Sequence, residues 1–382
     1  MKKHLSLWII LIVAVLAAFL CSCGASDETT GEDTAPLTAA VTDNGNAAAA
    51  DPASDSDPAA DPTTEDSTEA AEEPVVYTNP LTGEVLDAPY SGRIFVVSIS
   101  NTPEVLPHVN AMKSDIIFES FVSDSIIRCW GLFTDISQID RIGPVRSTRL
   151  MINDIADHYN AVLLHAGGKT NVLQDMEDRG LDNIRLDTWD ALQYGASIRD
   201  EEREKKVGYE HSLLVMGDTI YDYAESLGIS LKGEEGKDHL LHFAEDGTPA
   251  DGEPATHIIY RINHRDMWKE TTLDYDPQVG KYVYSQYGEV MLDNDSGERE
   301  AYTNVLLLKA IVTRKGAFQE ADFVTGGEGY FACGGKIIPI LWGANGEQEP
   351  LWFTTTDGEP LQLGVGNTYI AITDSFSGLV HE

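Results

Sequence analysis

The sequence predicts an α+β fold: a layered mixed sheet with helices in the first half, then a β-rich second half. Three observations lead there. Apolar runs of strand length recur between residues 93 and 373. Helix-period patterns occur only before residue 230, and Gly-containing turn signals separate the runs that follow.

The elements can be read in order. Arg93–Ser100 (RIFVVSIS) is a short strand. Between Asp115 and Phe133 the runs IIFESFV and IIRCWGLF are joined by Ser123-Asp124-Ser125, which suggests a hairpin. Thr148–His158 repeats Leu150, Ile152, Ile155 and Ala156 at helical spacing, and Ala161–His165 is a buried-type strand. Thr170–Arg179 reads as a helix closed by Gly180, and Thr219–Leu227 as another ended by Gly228.

After a connecting loop at 231–254, six runs read as strands: HIIYRI, KYVYSQY, NVLLLKAIV, GYFACGGKIIPILW, LWFTTTDGEPLQL and TYIAIT. Short strands with regular turns point to a sandwich or barrel-like sheet. Residues 76–230 are thus expected as a mixed α/β domain and 255–382 as a β-rich one. Trp342, Trp352 and Phe353 lie among apolar strands and are expected in the core rather than on an exposed aromatic patch.

The N-terminus indicates the compartment. Lys2, Lys3 and His4 precede an apolar stretch, Leu5–Leu20, that is shorter than the roughly twenty residues of a membrane span. Residues 1–22 therefore read as a lipoprotein signal peptide. Leu20-Cys21-Ser22-Cys23 has the form of a lipobox, with Cys23 as the lipidated residue (diacylglycerol and palmitate). Residues 24–75 contain no aromatic residue, Lys or Arg, and such a segment cannot bury enough apolar surface to offset its ordering entropy. Together with Cys23 it is expected to be a disordered acidic tether. The predicted protein is extracytoplasmic and held to the bacterial cell membrane by lipid.

A formal charge of −37 argues against nucleic acid as a partner and against broad adhesion to anionic lipid. Beyond the signal only Cys129 and Cys333 carry thiols, both in apolar contexts without metal-ligand spacing. Two buried free thiols are expected, with a single disulfide as the alternative. Neither a metal nor another cofactor is expected.

Within this acidic chain, RIGPVRSTR places Arg141, Arg146 and Arg149 in nine residues. Pro144 fixes φ, so the segment should be a rigid turn feeding a helix, with Ser147 or Thr148 as N-cap. Guanidinium forks bind carboxylate and phosphate, and Arg146 and Arg149 could share one anion. Internal pairing with Asp115, Glu119, Asp135 or Asp140 is the competing expectation. Downstream, HAGGKT opens a helix after a strand. It is not a nucleotide loop, because the glycine that GxxxxGK[ST] requires is Leu163. Gly167 and Gly168 either present helix N–H groups to an anion or simply allow a tight turn.

NPLTGE, the 114–133 stretch, RIGPVRSTR, HAGG, His211 in YEHSLL, and the C-terminal GGKIIPILW and GNTYIAI together resemble the YerB-like family of bacterial lipoproteins. The resemblance spans nearly all of 79–382. The matching positions are Asp115, Glu119, Arg128, Arg141, Gly143, Pro144, Arg146, Arg149, His165, Gly167, Gly168 and His211. The chain departs from the family at Glu210 and Ser212, where Pro and Asn are usual, and at Tyr369, where Trp is usual. The resemblance implies an α+β fold and no particular reaction.

The expected role is an envelope or cell-wall binding module. Arg141, Arg146, Arg149, His165, Gly167, Gly168 and His211 are the candidate ligand-binding residues, and Asp115, Glu119 and Arg128 are expected as structural or paired charges. Possible partners are an anionic wall component or an envelope protein. An envelope hydrolase using His165 and His211 with carboxylates is the alternative, although no motif assigns catalytic residues.

Overall fold

The apolar runs pair into strands, and most of them join one sheet. The computed structural model describes residues 76–234 and 237–382. The signal segment, Cys23 and the tether lie outside the described residues. Among those described, thirteen strands form a mixed sheet. Its path runs through Glu253–Pro254, Lys336–Ala344, Gly327–Cys333, Asn304–Lys309, Thr368–Thr373, Ile116–Ser123, Ile126–Phe133, Phe95–Ser100, Val162–His165 and Asn183–Arg185. Ile311–Lys315, Phe318–Asp322 and Leu351–Thr355 branch from that path.

Residues 76–230 and 255–382 both contribute to this sheet. Ile116–Ser123 pairs in parallel with Thr368–Thr373, from Ile116 opposite Thr368 to Glu119 opposite Ala371. Residues 231–254, expected as a loop, contain two short strands: His242–Ala244 beside Gln362–Gly364, and Glu253–Pro254 beside Lys336 and Ile337.

Alternation along each strand builds two cores. One face of the large sheet presents Val97, Phe121, Ile127, Val305 and Leu307 to a second, six-stranded sheet that supplies Ile258, Tyr260, Ile262 and Leu273. The opposite face presents Val96, Phe118, Trp130 and Leu306 to Met151, Ile152 and Ile155 of the helix Leu150–His158. The result is a layered α+β fold, as expected. Trp342 and Phe353 are buried in the second core, as expected, whereas Trp352 is half-buried and outside it. Cys129 and Cys333 are free and buried.

The expected helices form at Leu150–His158, Thr170–Asp178 and Gly217–Ser226. Gly180 and Gly228 follow the latter two with positive φ, which a Cβ would disfavour. Two further helices, Trp189–Tyr194 and Glu201–Val207, start at Thr188 and Asp200, whose side chains accept from Ala191 N and Arg203 N. The N-cap of Leu150–His158 is neither Ser147 nor Thr148 but Arg149, which makes no side-chain cap bond. The hydroxyls are engaged elsewhere: Ser147 donates to Ala166 O and Thr148 to Asn153 Oδ1.

Between the sheets lies a buried ion pair. Glu119 and Lys269 are 0 % and 3 % exposed, with Nζ 2.6 Å from Oε1. Lys269 also donates to Thr271 Oγ1 at 2.8 Å and Tyr284 Oη at 2.7 Å, which uses all three ammonium protons. Glu119 accepts from Asn101 Nδ2 at 2.5 Å, Tyr284 at 2.9 Å and Tyr369 at 2.5 Å. Removing one partner should strand the other. Lys269→Met is expected to cost about 3–5 kcal/mol in urea unfolding, and combining it with Glu119→Leu should recover much of that loss.

Candidate anion-binding site

The carboxyl ends of several parallel strands meet at one edge of the large sheet. Phe95–Ser100 and Val162–His165 run parallel, yet they pair only from Phe95 to Val97. Beyond Val97 they part, and the RIGPVRSTR segment fills the gap. Ser100 N donates to Pro144 O, and Arg146 N donates to Ser98 O. On its other side Ala166 N donates to Arg146 O, and Thr148 N donates to Gly167 O. Such a divergence at strand carboxyl ends is where open α/β sheets place their ligand crevices.

Three guanidinium groups come together here. Arg128 extends from Ile126–Phe133 on the helix-bearing face, opposite Ser100 and Ser120 in the strand register. It is 2 % exposed and donates from Nη1 to Ser100 Oγ at 3.2 Å. Burial, and then the charges of Arg149 and Arg146, lower its pKa to about 9. Arg149 donates only to the backbone oxygens of Ser147 and Thr148 and has no carboxylate partner among the described residues. Arg146 binds Glu210, donating to its backbone oxygen at 2.7 Å and to Oε2 at 3.0 Å. Burial and then Arg146 hold the His211 pKa below the usual imidazole value, against the pull of Glu104 and Glu210.

Four buried polar atoms of this cluster lack a hydrogen-bond partner: Nε of Arg128, Arg146 and Arg149, and Nδ1 of His211. Buried polar groups are normally satisfied, so four in one cluster stand out. Arg128 belongs to this group and is not the paired charge the sequence suggested. Its signal was the single Arg within the apolar run IIRCWGLF, which matters only once the register is known.

Other candidates lie elsewhere or are already engaged. Arg141 is paired internally with Asp200 and Asp295, both at 2.8 Å, and not with Asp115, Glu119, Asp135 or Asp140. His165 is 1 % exposed, with Nδ1 2.9 Å from Gly167 O and Nε2 3.2 Å from Asn183 Oδ1. It is a core histidine with no nitrogen free for a ligand. Asp115 accepts from Thr134 N and Oγ1, and burial raises its pKa to about 6. Gly167 needs its φ of +69°, and a Cβ on Gly168 would lie 3.0 Å from Leu173 and 3.3 Å from Thr148. Gly167 is therefore favoured by the turn itself and Gly168 by close packing, whatever the following helix start binds.

Two family models cover most of the folded region. "Protein of unknown function (DUF3048) N-terminal domain" matches residues 81–230, and the C-terminal domain of the same family matches 260–370. The chain belongs to the YerB-like family. A relative named "Putative lipoprotein YerB", from Bacillus subtilis (strain 168), is 26 % identical over 309 residues, 77 % of this chain and 88 % of the relative. The crystal structure of the Bacillus subtilis YerB protein superposes with a TM-score of 0.67 at 20 % identity, covering 80 % of this chain and 99 % of that one. That likeness concerns the fold. The arginine cluster lies within the N-terminal family segment, and Glu210, where the family usually has Pro, supplies the carboxylate on Arg146.

The energetic cost of Arg128 can be measured directly. Its depressed pKa means that the penalty is fully present below about pH 9 and fades above it. Arg128→Met should therefore raise the unfolding free energy at pH 7 by about 1–3 kcal/mol, read by urea denaturation. A less stable variant would mean that Arg128 is a structural residue. In Asp115→Asn, the stability that wild type loses as pH rises from about 4 through about 6 should be retained, as thermal unfolding across that range would show.

Proposed function

We propose that this protein is a lipid-anchored, extracytoplasmic lipoprotein whose folded region binds an anionic group of the cell envelope through Arg128, Arg146, Arg149 and His211. The anchoring part rests on the Leu20–Cys23 lipobox and on the lipoprotein name carried by the Bacillus relative. One observation carries the binding part. Among the described residues, a chain of charge −37 buries Arg128 beside two further arginines and pairs it with no carboxylate, Glu104 raising its pKa by less than the arginines lower it. Sixty-three acidic residues were available to neutralise it. An arrangement this costly to the empty protein is reasonable where an anion repays it.

The donor pattern favours a tetrahedral oxyanion over a single carboxylate. Three guanidiniums and an imidazole offer N–H groups from several directions, whereas a carboxylate presents two coplanar oxygens. Overall negative charge would repel non-specific anions, so the local positive field would act selectively. The hydrolase alternative has less support, because His165 and His211 have different electrostatic neighbours.

Full-length protein in neutral detergent should bind inorganic phosphate in a calorimetric titration. Arg146→Ala/Arg149→Ala should weaken that binding at least tenfold, about 1.4 kcal/mol, with folding intact by circular dichroism. Binding should raise the His211 pKa, so affinity should increase as pH falls through the imidazole range, a shift that NMR of the ring would follow. Co-sedimentation with purified cell-wall sacculi then tests the source of the anion. Equal pelleting of wild type and the double variant would count against a wall ligand, and release of soluble fragments would favour the hydrolase.

A further inference from the structure

A second basic position adjoins the arginine cluster and shares one residue with it. A cavity of about 80 Å³ lies between the starts of the helices Leu150–His158 and Thr170–Asp178 and the strand Phe318–Asp322. That is several times the space one water needs. Arg149, Lys169 and Lys315 line it, against one carboxylate, Glu320, which pairs with Lys315 at 3.0 Å. Lys169 is held by stacking on the Phe318 ring, 3.8 Å from its centroid.

Two independent features mark this cavity as a ligand position. The first is the helix start after Gly167-Gly168, whose Asn171 and Val172 form part of the wall. A helix N-terminus carries partial positive charge and unsatisfied N–H groups. The second is Gln319, 2 % exposed, which also lines the cavity. Its Oε1 is bound to His264 Nδ1 at 2.7 Å, while its buried Nε2 has no partner.

We infer that the site takes a linear ligand carrying closely spaced phosphoryl groups, one held by Arg128, Arg146, Arg149 and His211, the next by Arg149, Lys169, Lys315 and Gln319. The inference rests on the anion-binding reading above and adds a ligand class to it. Arg149 lines the second cavity and ends the 141–149 segment that carries Arg146, so it adjoins both positions. Joined anions occupying both would gain from effective concentration, since the second group binds intramolecularly once the first is seated.

The test compares orthophosphate with tripolyphosphate on full-length protein in neutral detergent. Wild type should prefer tripolyphosphate by at least about thirtyfold. Lys169→Gln/Lys315→Gln should reduce that preference to about threefold while orthophosphate affinity stays within about twofold of wild type. Matched thermal unfolding midpoints and recovery in Lys169→Arg/Lys315→Arg would separate binding from folding. An unchanged preference in the Gln variant would overturn the second position and leave the arginine reading standing. Failure of wild type to bind either probe would overturn both.

Discussion

The Glu119–Lys269 ion pair is the constraint on which the layered architecture depends. Glu119 stands on the large sheet and Lys269 on the six-stranded one, so neither charge is balanced unless the sheets close to hydrogen-bonding distance. Each remaining lone pair and proton meets Asn101, Thr271, Tyr284 or Tyr369. A buried pair of this kind adds little net stability, because desolvation offsets the attraction. What it fixes is the alignment of the two sheets. Tyr369, a departure from the usual family residue, belongs to this set: its hydroxyl donates to Glu119 and contacts Tyr260.

Fixing the sheets also fixes the edge where the arginines meet. Glu119 and Arg128 occupy neighbouring strands on opposite faces, Glu119 toward the second sheet and Arg128 toward the helices. The same hairpin thus carries a satisfied charge on one side and an unsatisfied one on the other. The contrast separates their roles. Full hydrogen bonding marks Glu119 as architecture, whereas the unpartnered Nε of Arg128 is what supports the proposed ligand role.

Glu210 gives the site a further property. It is an exposed carboxylate on a short turn, and it binds only the outermost of the three arginines. Among the described residues, Arg128 and Arg149 bond a hydroxyl and backbone oxygens and no carboxylate. An incoming anion would therefore compete with a solvent-screened ion pair and one backbone contact rather than with a buried salt bridge.

Much of the fold was legible because local rules govern it. The hairpin at 116–133, the helices ended by Gly180 and Gly228, and the β-rich second half all follow from periodicity and turn chemistry. The family resemblance and the basic character of RIGPVRSTR were equally visible. Three things were not. The cap falls at Arg149 because Ser147 bonds Ala166 O in the neighbouring segment and Thr148 bonds the Asn153 side chain within the helix instead. Arg141, Arg146 and Arg149 look alike in sequence, but only Arg141 lies beside Asp200 and Asp295, residues distant along the chain. Arg128 joins the cluster through strand register, and Lys315 and Gln319 approach it through a hairpin folded back on the helices. The sequence by itself determined element types, the acidic composition of residues 24–75 and a basic segment, since these depend on neighbours a few residues away. Only the tertiary structure decided which charges are neutralised, because a counter-ion is set by distance in space and not by separation along the chain.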